Sequence, residues 1–104
     1  MKILALEKEG PKSTAADVQL LLKAEAQRVW ELSQSGSLRE IYFRADRHEA
    51  VLILECANAD EARQLLASLP LVAAGLIQFD LIPLSPYDGF ARLFAGGPPR
   101  ARGE

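Results

Sequence analysis

The chain lacks the sequence signatures that would directly assign a chemistry to it. Its 104 residues contain no phosphate-binding glycine loop, no metal-ligand cluster and no nucleophile triad. A single cysteine, Cys56, excludes a framework of internal disulfides and fits a reducing compartment. The single histidine, His48, stands apart from it at a predicted exposed turn, which is a poor basis for a transition-metal site. We therefore expect no metal and no cofactor.

Strong charge and long apolar runs are also missing. The net charge is -2, so the total suggests neither a nucleic-acid nor a membrane partner. No apolar run approaches the roughly 20 residues of a membrane helix. The N-terminal residues reach a charge at Glu7, too soon for a signal peptide. With 49% apolar and 25% charged residues, we expect one globular, cytoplasmic domain.

The periodic segments follow the order strand, helix, strand, strand, helix, strand. Alternating apolar residues predict four strands, at residues 1–7, 38–45, 50–56 and 76–84. Helical spacing predicts two helices, one at residues 15–35 and one between Asn58 and Pro70. This order is typical of an α+β fold, the ferredoxin-like βαββαβ sandwich, with both helices on one face of an antiparallel sheet.

Polar, glycine and proline residues mark the helix ends. Ser13 or Thr14 is expected to cap the first helix, and Gly36 to end it in the left-handed conformation. Asn58 is expected to cap the second helix, and Pro70 to stop it.

Both faces of the predicted sheet are rich in apolar residues. The face expected to meet the helices carries Ile3, Ala5, Ile41, Phe43, Leu52, Leu54, Ile77, Phe79 and Leu81. The opposite face carries Leu4, Leu6, Leu38, Tyr42, Val51, Ile53, Leu76 and Ile82, mixed with charged residues. One layer of helices cannot bury both faces, so a second sheet should cover the open one. A two-fold homodimer would supply that sheet, so we expect a homo-oligomer.

The C-terminal segment divides into two parts. An extension from about residue 85 carries Phe90, Leu93 and Phe94, which are too apolar for a free end. A Gly/Pro-rich tail at 96–104 is typical of disorder in isolation. We therefore expect a single domain at 1–95, whose extension contacts a neighbouring subunit.

Short stretches resemble a known family, the muconolactone isomerase-like proteins. EAQRVWELSQSGSLRE, at 25–40, resembles their passage from the first helix to the second strand. ASLPL, at 67–71, resembles their leucine–proline–leucine segment, and Ile82-Pro83-Leu84 fits their last strand. The resemblance implies a dimeric α+β barrel with a possible small-molecule pocket between sheet and helices. It also implies the activity of the family's enzymes, which shift a lactone double bond by moving a proton.

Glu25 is the sharpest anomaly in the residue pattern. At about 100° per residue it lies in the middle of a helical stripe formed by Val18, Leu22, Val29 and Leu32. Burial there would raise the pKa of its carboxyl, as a proton shuttle next to a carbonyl requires. The alternative is a structural ion pair, with Arg28, Arg39 or Arg44.

Tyr42 and Arg44 are the other candidate site residues. Alternation places them on one face of the second strand with Glu40. A phenol and a guanidinium can bind a substrate carboxylate or polarise a carbonyl. The alternative is that both line an interface between two sheets.

The predicted hairpin places two carboxylates opposite each other. If it turns about residues 47–48, Ala45 faces Ala50 and Glu40 faces Glu55. Like charges in that position destabilise a sheet unless a proton or a cation lies between them. The pair could therefore share a proton or, with Asp80, hold a metal; the alternative is that Arg44 or an arginine of a partner neutralises it.

The leading functional hypothesis is a cofactor-independent isomerase that transfers a proton on a lactone or related carbonyl compound. Glu25 would act as the base or acid, and Tyr42 and Arg44 would position an oxyanion or carboxylate. One alternative is a non-catalytic ligand-binding or oligomeric assembly module. Another is a cofactor-free monooxygenase on the same barrel.

Overall fold

The structure, a computed structural model, describes residues 1–12 and 15–94, and it gives no side-chain detail for 15–17. Its four strands are β1 (Lys2–Glu9), β2 (Leu38–Phe43), β3 (Ala50–Glu55) and β4 (Ile77–Pro83). They form one antiparallel sheet in the order β2-β3-β1-β4. Its helices are α1 (Ala15–Ser35), α2 (Ala59–Ala67) and the short α3 (Pro70–Ala73), and a 3₁₀ helix follows at Gly89–Leu93. The predicted α+β fold is confirmed.

The helix ends follow the local signals closely. Asn58 Oδ1 accepts the backbone N–H of Glu61 at 2.8 Å, which confirms the predicted cap of α2. Gly36 follows α1 with a φ of 86°, the left-handed conformation that glycine adopts without strain. The cap predicted at Ser13 or Thr14 lies outside the described residues.

Pro70 does more than end a helix. α2 already ends at Ala67, and Pro70 is the first residue of α3. A proline suits that position because the first N–H groups of a helix have no partner within it. The prediction of one helix stopped by Pro70 therefore missed the short helix that Pro70 begins.

The core lies between the sheet and the helices. The buried strand residues are Ile3, Ala5, Leu38, Ala50, Leu52 and Leu54. The helices and their C-terminal ends contribute Leu32, Ala62, Leu66 and Leu69. Full burial of an aliphatic side chain of this size contributes about 1.5–3 kcal/mol, so this cluster supplies most of the driving force for folding.

A β-bulge at Arg39 changes the face of the first residue of β2. Leu38 pairs with Leu54, whereas Glu40 pairs with Ile53, so the alternation is interrupted between them. The extra residue turns Leu38 toward the helices, where it is 3% exposed. The prediction that Leu38 shares a face with Tyr42 is therefore wrong.

The hairpin between β2 and β3 turns earlier than predicted. Phe43, not Ala45, lies opposite Ala50. β2 ends at Phe43, and the Arg44 N–H donates to the Glu49 carbonyl at 2.9 Å, which closes a longer turn. The predicted register was wrong by two residues along β2, although each residue after the bulge keeps its predicted face.

Leu76 belongs to the interior and not to the open face of the sheet. It precedes β4, is 2% exposed, and its N–H donates to the Leu71 carbonyl at 3.0 Å. Its own carbonyl accepts the N–H of Gly10 at 3.1 Å. A Cβ at Gly10 would lie 2.3 Å from the carbonyl oxygen of Gly75, so this close approach requires glycine.

The sheet face opposite the helices is open within the single chain. Tyr42 and Ile82 are exposed there, and four further apolar residues are only half-buried: Leu4, Leu6, Val51 and Ile53. No described helix is long and apolar enough to cross a membrane.

The described residues after β4, 84–94, form a segment that we call the C-terminal arm. Four of its large apolar side chains, Tyr87, Phe90, Leu93 and Phe94, are each at least 67% exposed, and Leu84 is 38% exposed. The radius of gyration, 17.5 Å, exceeds the roughly 13 Å of a compact 100-residue domain, as an arm that leaves the body would cause. The tail at 96–104 lies outside the described residues.

Candidate functional site

α1 turns one face toward the sheet, and Glu25 is on that face. Leu32 is buried, and Val29 packs against the core next to it. Glu25 lies one turn before Val29 and is half-buried. Leu22, predicted on the same stripe, is instead 43% exposed, so α1 is packed most closely near its C-terminal end.

Glu25 binds the backbone at the start of α3. Its Oε1 accepts the N–H of Leu71 at 2.9 Å. Leu71 is the second residue of α3, where an N–H has no partner within the helix, so the carboxyl caps that helix from outside. This contact fixes the position of the Glu25 side chain against Leu71, in the segment that resembles the family.

The three arginines considered as ion-pair partners of Glu25 bind elsewhere. Arg28 donates to Ser68 Oγ at 2.9 Å and pairs with Glu31 at 3.2 Å. Arg39 donates to the Gly36 carbonyl, and Arg44 pairs with Asp46. Glu25 therefore acquires its environment from burial and a backbone N–H and not from these cations.

That environment raises the pKa of the Glu25 carboxyl above its ordinary value. Burial is the largest cause, because it disfavours the charged form. The hydrogen bond from Leu71 lowers the pKa, and the negative charge of Glu7 raises it. The carboxyl is thus shifted toward the pKa range in which a group can both accept and release a proton.

Glu7 is a second carboxyl on the same side of the sheet. Residues Ile3, Ala5 and Glu7 alternate onto the helix-facing side of β1. The Oε1 atom of Glu7 accepts the Ala50 N–H at 2.9 Å, and the Glu7 charge acts on Glu25. Glu7 was not predicted as a site residue, although its place two residues after Ala5 on the same face of β1 was the signal for it. Two carboxyls in different environments are a recurring arrangement for acid–base chemistry.

The sheet surface beside Glu7 is not fully covered. Phe43, the cross-strand partner of Ala50, is on the helix-facing side but is 60% exposed. The His48 ring stacks on it, with centroids 4.0 Å apart and an angle of 24° between the planes. His48 is exposed at the turn, as predicted. An apolar, accessible surface therefore lies next to the strand residue that binds Glu7.

Tyr42 is on the other side of the sheet from Glu25. It neighbours Phe43, which faces the helices, and it pairs with Val51 on the open face. Its hydroxyl donates to Glu40 Oε1 at 2.6 Å, and this bond raises the pKa of the Tyr42 phenol. Within one chain the sheet itself separates Tyr42 from Glu25.

Arg44 follows β2 and is bound by its own turn. Its Nε and Nη2 donate to the two carboxylate oxygens of Asp46, at 2.8 and 2.6 Å. This two-point contact lowers the pKa of Asp46. The guanidinium also lies 4.0 Å from Glu49. The structure therefore places Arg44 in a turn-stabilising ion-pair cluster.

The predicted pair of opposed carboxylates does not form. Glu40 lies opposite Ile53, because the hairpin register differs from the predicted one. Glu55 lies opposite Lys2 and binds the N-terminal ammonium of Met1 at 2.6 Å. That bond lowers the pKa of Glu55, so a shared proton between Glu40 and Glu55 is excluded here.

Metal and thiol chemistry find little support in the described part of the chain. Among residues 1–12 and 15–94, no group of three or more His, Cys, Asp or Glu side chains is placed to hold a metal ion. Cys56 is a free thiol that is 4% exposed, and burial raises its pKa. A buried thiol of this kind is a poor nucleophile.

A groove lies on the α2 side of the sheet, between α2, α3 and β4. Its volume is about 170 Å³. The lining residues are Arg63, Leu66, Ala67, Val72, Gln78, Phe79 and Leu81. Phe79 pairs with Glu7 across β1 and β4, and Val72 follows Leu71. The groove therefore adjoins the region of the two carboxyls.

Comparison with known families identifies the chain. The family model described as muconolactone delta-isomerase matches residues 5–89. The chain belongs to the muconolactone delta-isomerase family. The resemblance inferred from the 25–40 and 67–71 segments is thereby confirmed. A comparison with curated proteins found no match.

Two solved structures share the fold of this family member. A crystal structure of muconolactone isomerase matches with a TM-score of 0.69 and 16% identity, over 85% of this chain and 92% of that one. The 5-chloro-2-hydroxyhydroquinone dehydrochlorinase from Burkholderia phenoliruptrix AC1100, in complex with 2,5-dihydroxybenzoquinone, matches with a TM-score of 0.58 and 17% identity, over 86% and 98%. At these identities the likeness establishes the fold and not a shared activity.

Proposed function

We propose that this family member is a small-molecule isomerase that shifts a double bond in a lactone or related carbonyl compound by proton transfer, without a cofactor. Family membership supports the class of reaction. The observation that carries the proposal is the Glu25 carboxyl, which is half-buried on the sheet-facing side of α1 and has a raised pKa.

In this mechanism Glu25 acts as base and then as acid. The carboxylate takes a proton from the γ carbon of an α,β-unsaturated lactone or related carbonyl compound, and electrons move through the double bond onto the carbonyl oxygen to form a dienolate. The carboxylic acid then returns the proton to a different carbon, which leaves the double bond shifted and the enzyme unchanged. The Leu71 N–H holds the carboxyl in place, and the Glu7 charge favours its protonated form.

The proposed centre pairs Glu25 with Glu7 and leaves Tyr42 and Arg44 outside it. Tyr42 is on the opposite face of the sheet, and Arg44 is held by Asp46. Tyr42→Phe and Arg44→Gln should therefore change the rate of proton transfer less than Glu25→Gln does. If either variant lost as much of the proton-transfer rate as Glu25→Gln, the prediction that Glu25, Tyr42 and Arg44 act in one site would be supported instead.

We further propose that the chain forms a homodimer through the open face of the sheet. The exposed Tyr42 and Ile82 and the half-buried apolar residues beside them support this. A contiguous apolar face of this kind is typical of a surface that contacts another protein. Sedimentation at micromolar concentration should give a dimer, and a stable monomer would contradict the proposal.

The experiment for the catalytic proposal follows proton transfer directly. Purified protein is incubated with muconolactone in D₂O, and both isomerisation and deuterium incorporation are followed by proton NMR. Glu25→Gln should reduce both rates by about 10²–10⁴-fold, the usual contribution of a general acid–base group. Glu25→Asp should retain part of the activity, because it keeps a carboxyl.

Glu31→Gln is the matched control. Glu31 is on the same helix but is exposed and pairs with Arg28, so its removal should leave both rates within about twofold. Unchanged rates in Glu25→Gln would overturn the proposal. Absence of turnover in the wild type, together with a fully folded Glu25→Gln protein, would favour a non-catalytic module.

A further inference from the structure

The groove between α2 and β4 combines an apolar interior with a cationic side chain. Leu66, Val72, Phe79 and Leu81 line it with aliphatic and aromatic carbon, and Arg63 is the charged lining residue. We infer that this groove binds a small ligand made of one six-membered ring that carries a carboxylate.

The size of the groove sets the size of the ring. An apolar cavity of about 150 Å³ accommodates benzene, and the groove measures about 170 Å³. Pockets for drug-sized ligands and nucleotides are larger, typically about 300–1,000 Å³. A single ring therefore fits within the groove.

Arg63 supplies the recognition of the anion. Its Nη1 pairs with Asp60 at 2.6 Å, but the two side chains are 63% and 85% exposed. An ion pair this exposed contributes little, so a ligand carboxylate can replace Asp60 as the partner of the guanidinium. A guanidinium at an apolar crevice selects a ring with a negative substituent over a neutral or cationic one.

Gln78 shapes the other side of the groove. Its Nε2 donates to the Glu9 carbonyl at 2.9 Å, which holds the side chain against the edge of the sheet. Tyr87 and Phe90 of the C-terminal arm pack edge to face on each other, with ring centroids 4.9 Å apart, and are tested below as alternative occupants of the groove.

Benzoate is the probe, and the inference is tested without turnover, so it stands or fails separately from the proposed function. Addition of millimolar benzoate to ¹⁵N-labelled protein should shift the amide signals of Val72 and Phe79 in a saturable way. Acetate, which lacks the ring, and benzyl alcohol, which lacks the charge, should each bind at least about tenfold more weakly.

Three variants locate the site. Arg63→Gln should weaken benzoate binding by about tenfold, the effect of one lost charge-assisted hydrogen bond. Arg92→Gln, an exposed arginine outside the groove, is the matched control and should bind like the wild type. Ala67→Phe adds a ring at an exposed lining position and should abolish the shifts without unfolding the protein.

Several results would overturn the inference. These are benzoate shifts that do not saturate, equal binding by Arg63→Gln and the wild type, or unaltered binding by Ala67→Phe. Nuclear Overhauser contacts between the groove and Phe90 would assign the groove to the arm and would also overturn it.

Discussion

The inner faces of β3 and β2 contrast sharply, although the two strands are neighbours in one sheet. Along β3 the helix-facing residues Ala50, Leu52 and Leu54 are at most 8% exposed. Their neighbours on β2, Phe43 and Ile41, are 60% and 44% exposed on the same face. Residues on the same face of a sheet can therefore differ greatly in burial, because burial also depends on whether a helix covers each strand.

The packing of α1 explains this difference. Leu32, near its C-terminal end, is buried, whereas Leu20 is 83% exposed and Leu22 is 43% exposed. The helix thus covers the sheet where β2 begins, at Leu38, and leaves the end of β2 open. Because Ala50 binds Glu7 beside this open end, the poorly covered part of the sheet adjoins the proposed catalytic carboxyls.

The largest expected effect tests the contrast itself. Leu52→Ala should lower the free energy of unfolding by about 3 kcal/mol, since it leaves a cavity in the core. Phe43→Ala should lower it by less than about 1 kcal/mol, because the ring is mostly exposed. Urea denaturation measures both values. Equal losses would show that another surface covers Phe43 in solution.

The next largest expected effect is on self-association, in which the C-terminal arm could cover exposed surface of a neighbouring subunit. Deletion of residues 86–104 removes all four strongly exposed apolar side chains of the arm, Tyr87, Phe90, Leu93 and Phe94. If the arm contacts a neighbouring subunit, self-association should weaken by at least about tenfold, equivalent to roughly 1.4 kcal/mol. Sedimentation over a concentration series measures the change. Unchanged association would show that the arm contributes nothing to assembly.

A smaller effect concerns the helix above the covered half of the sheet. Asn58→Ala removes the side-chain acceptor for the Glu61 N–H and should cost about 1 kcal/mol of stability. Asn58→Asp, which keeps an acceptor, is the control and should remain close to the wild type. Thermal and urea unfolding provide the comparison, and a loss of equal size in both variants would contradict the capping role.

The smallest effect is a pH dependence on the α1 side. The folded-state pKa of Glu25 lies above its ordinary value of 4.5, so folding favours the protonated form. Its contribution to stability is fully present below pH 4.5 and is lost as the pH rises through the folded pKa. The stability of the wild type should therefore fall relative to Glu25→Gln across that range. If the free energies of unfolding of the wild type and Glu25→Gln changed in parallel with pH, the raised pKa of Glu25 would be contradicted.

Local signals were sufficient to predict the elements, but not their exact pairing. Alternation, the Asn58 cap and the Gly36 stop predicted the strands and helix ends that the structure shows. The bulge at Arg39 has no glycine or other local mark, and it arises because burying Leu38 against the core is more favourable than regular pairing. β2 ends at Phe43, and the backbone bond between Arg44 and Glu49 closes a longer turn, which alternation cannot reveal.

The site was predictable in part for similar reasons. The inward position of Glu25 follows from helical periodicity alone, so the sequence predicted it. Its contact with Leu71 joins residues 46 positions apart and depends on how α3 packs. Tyr42 and Arg44 were grouped with it for their chemistry, although alternation already placed Tyr42 on the face opposite the helices, and in the structure the sheet lies between Tyr42 and Glu25.

The buried thiol just after β3 allows local opening of the well-packed half of the molecule to be measured. Cys56 is the chain's one cysteine, and both its burial and its raised pKa slow its reaction with alkylating reagents. Alkylation then requires a transient opening of the structure around β3, so its rate counts those openings. The alkylation rate of the unlabelled protein therefore measures how often the structure around β3 opens.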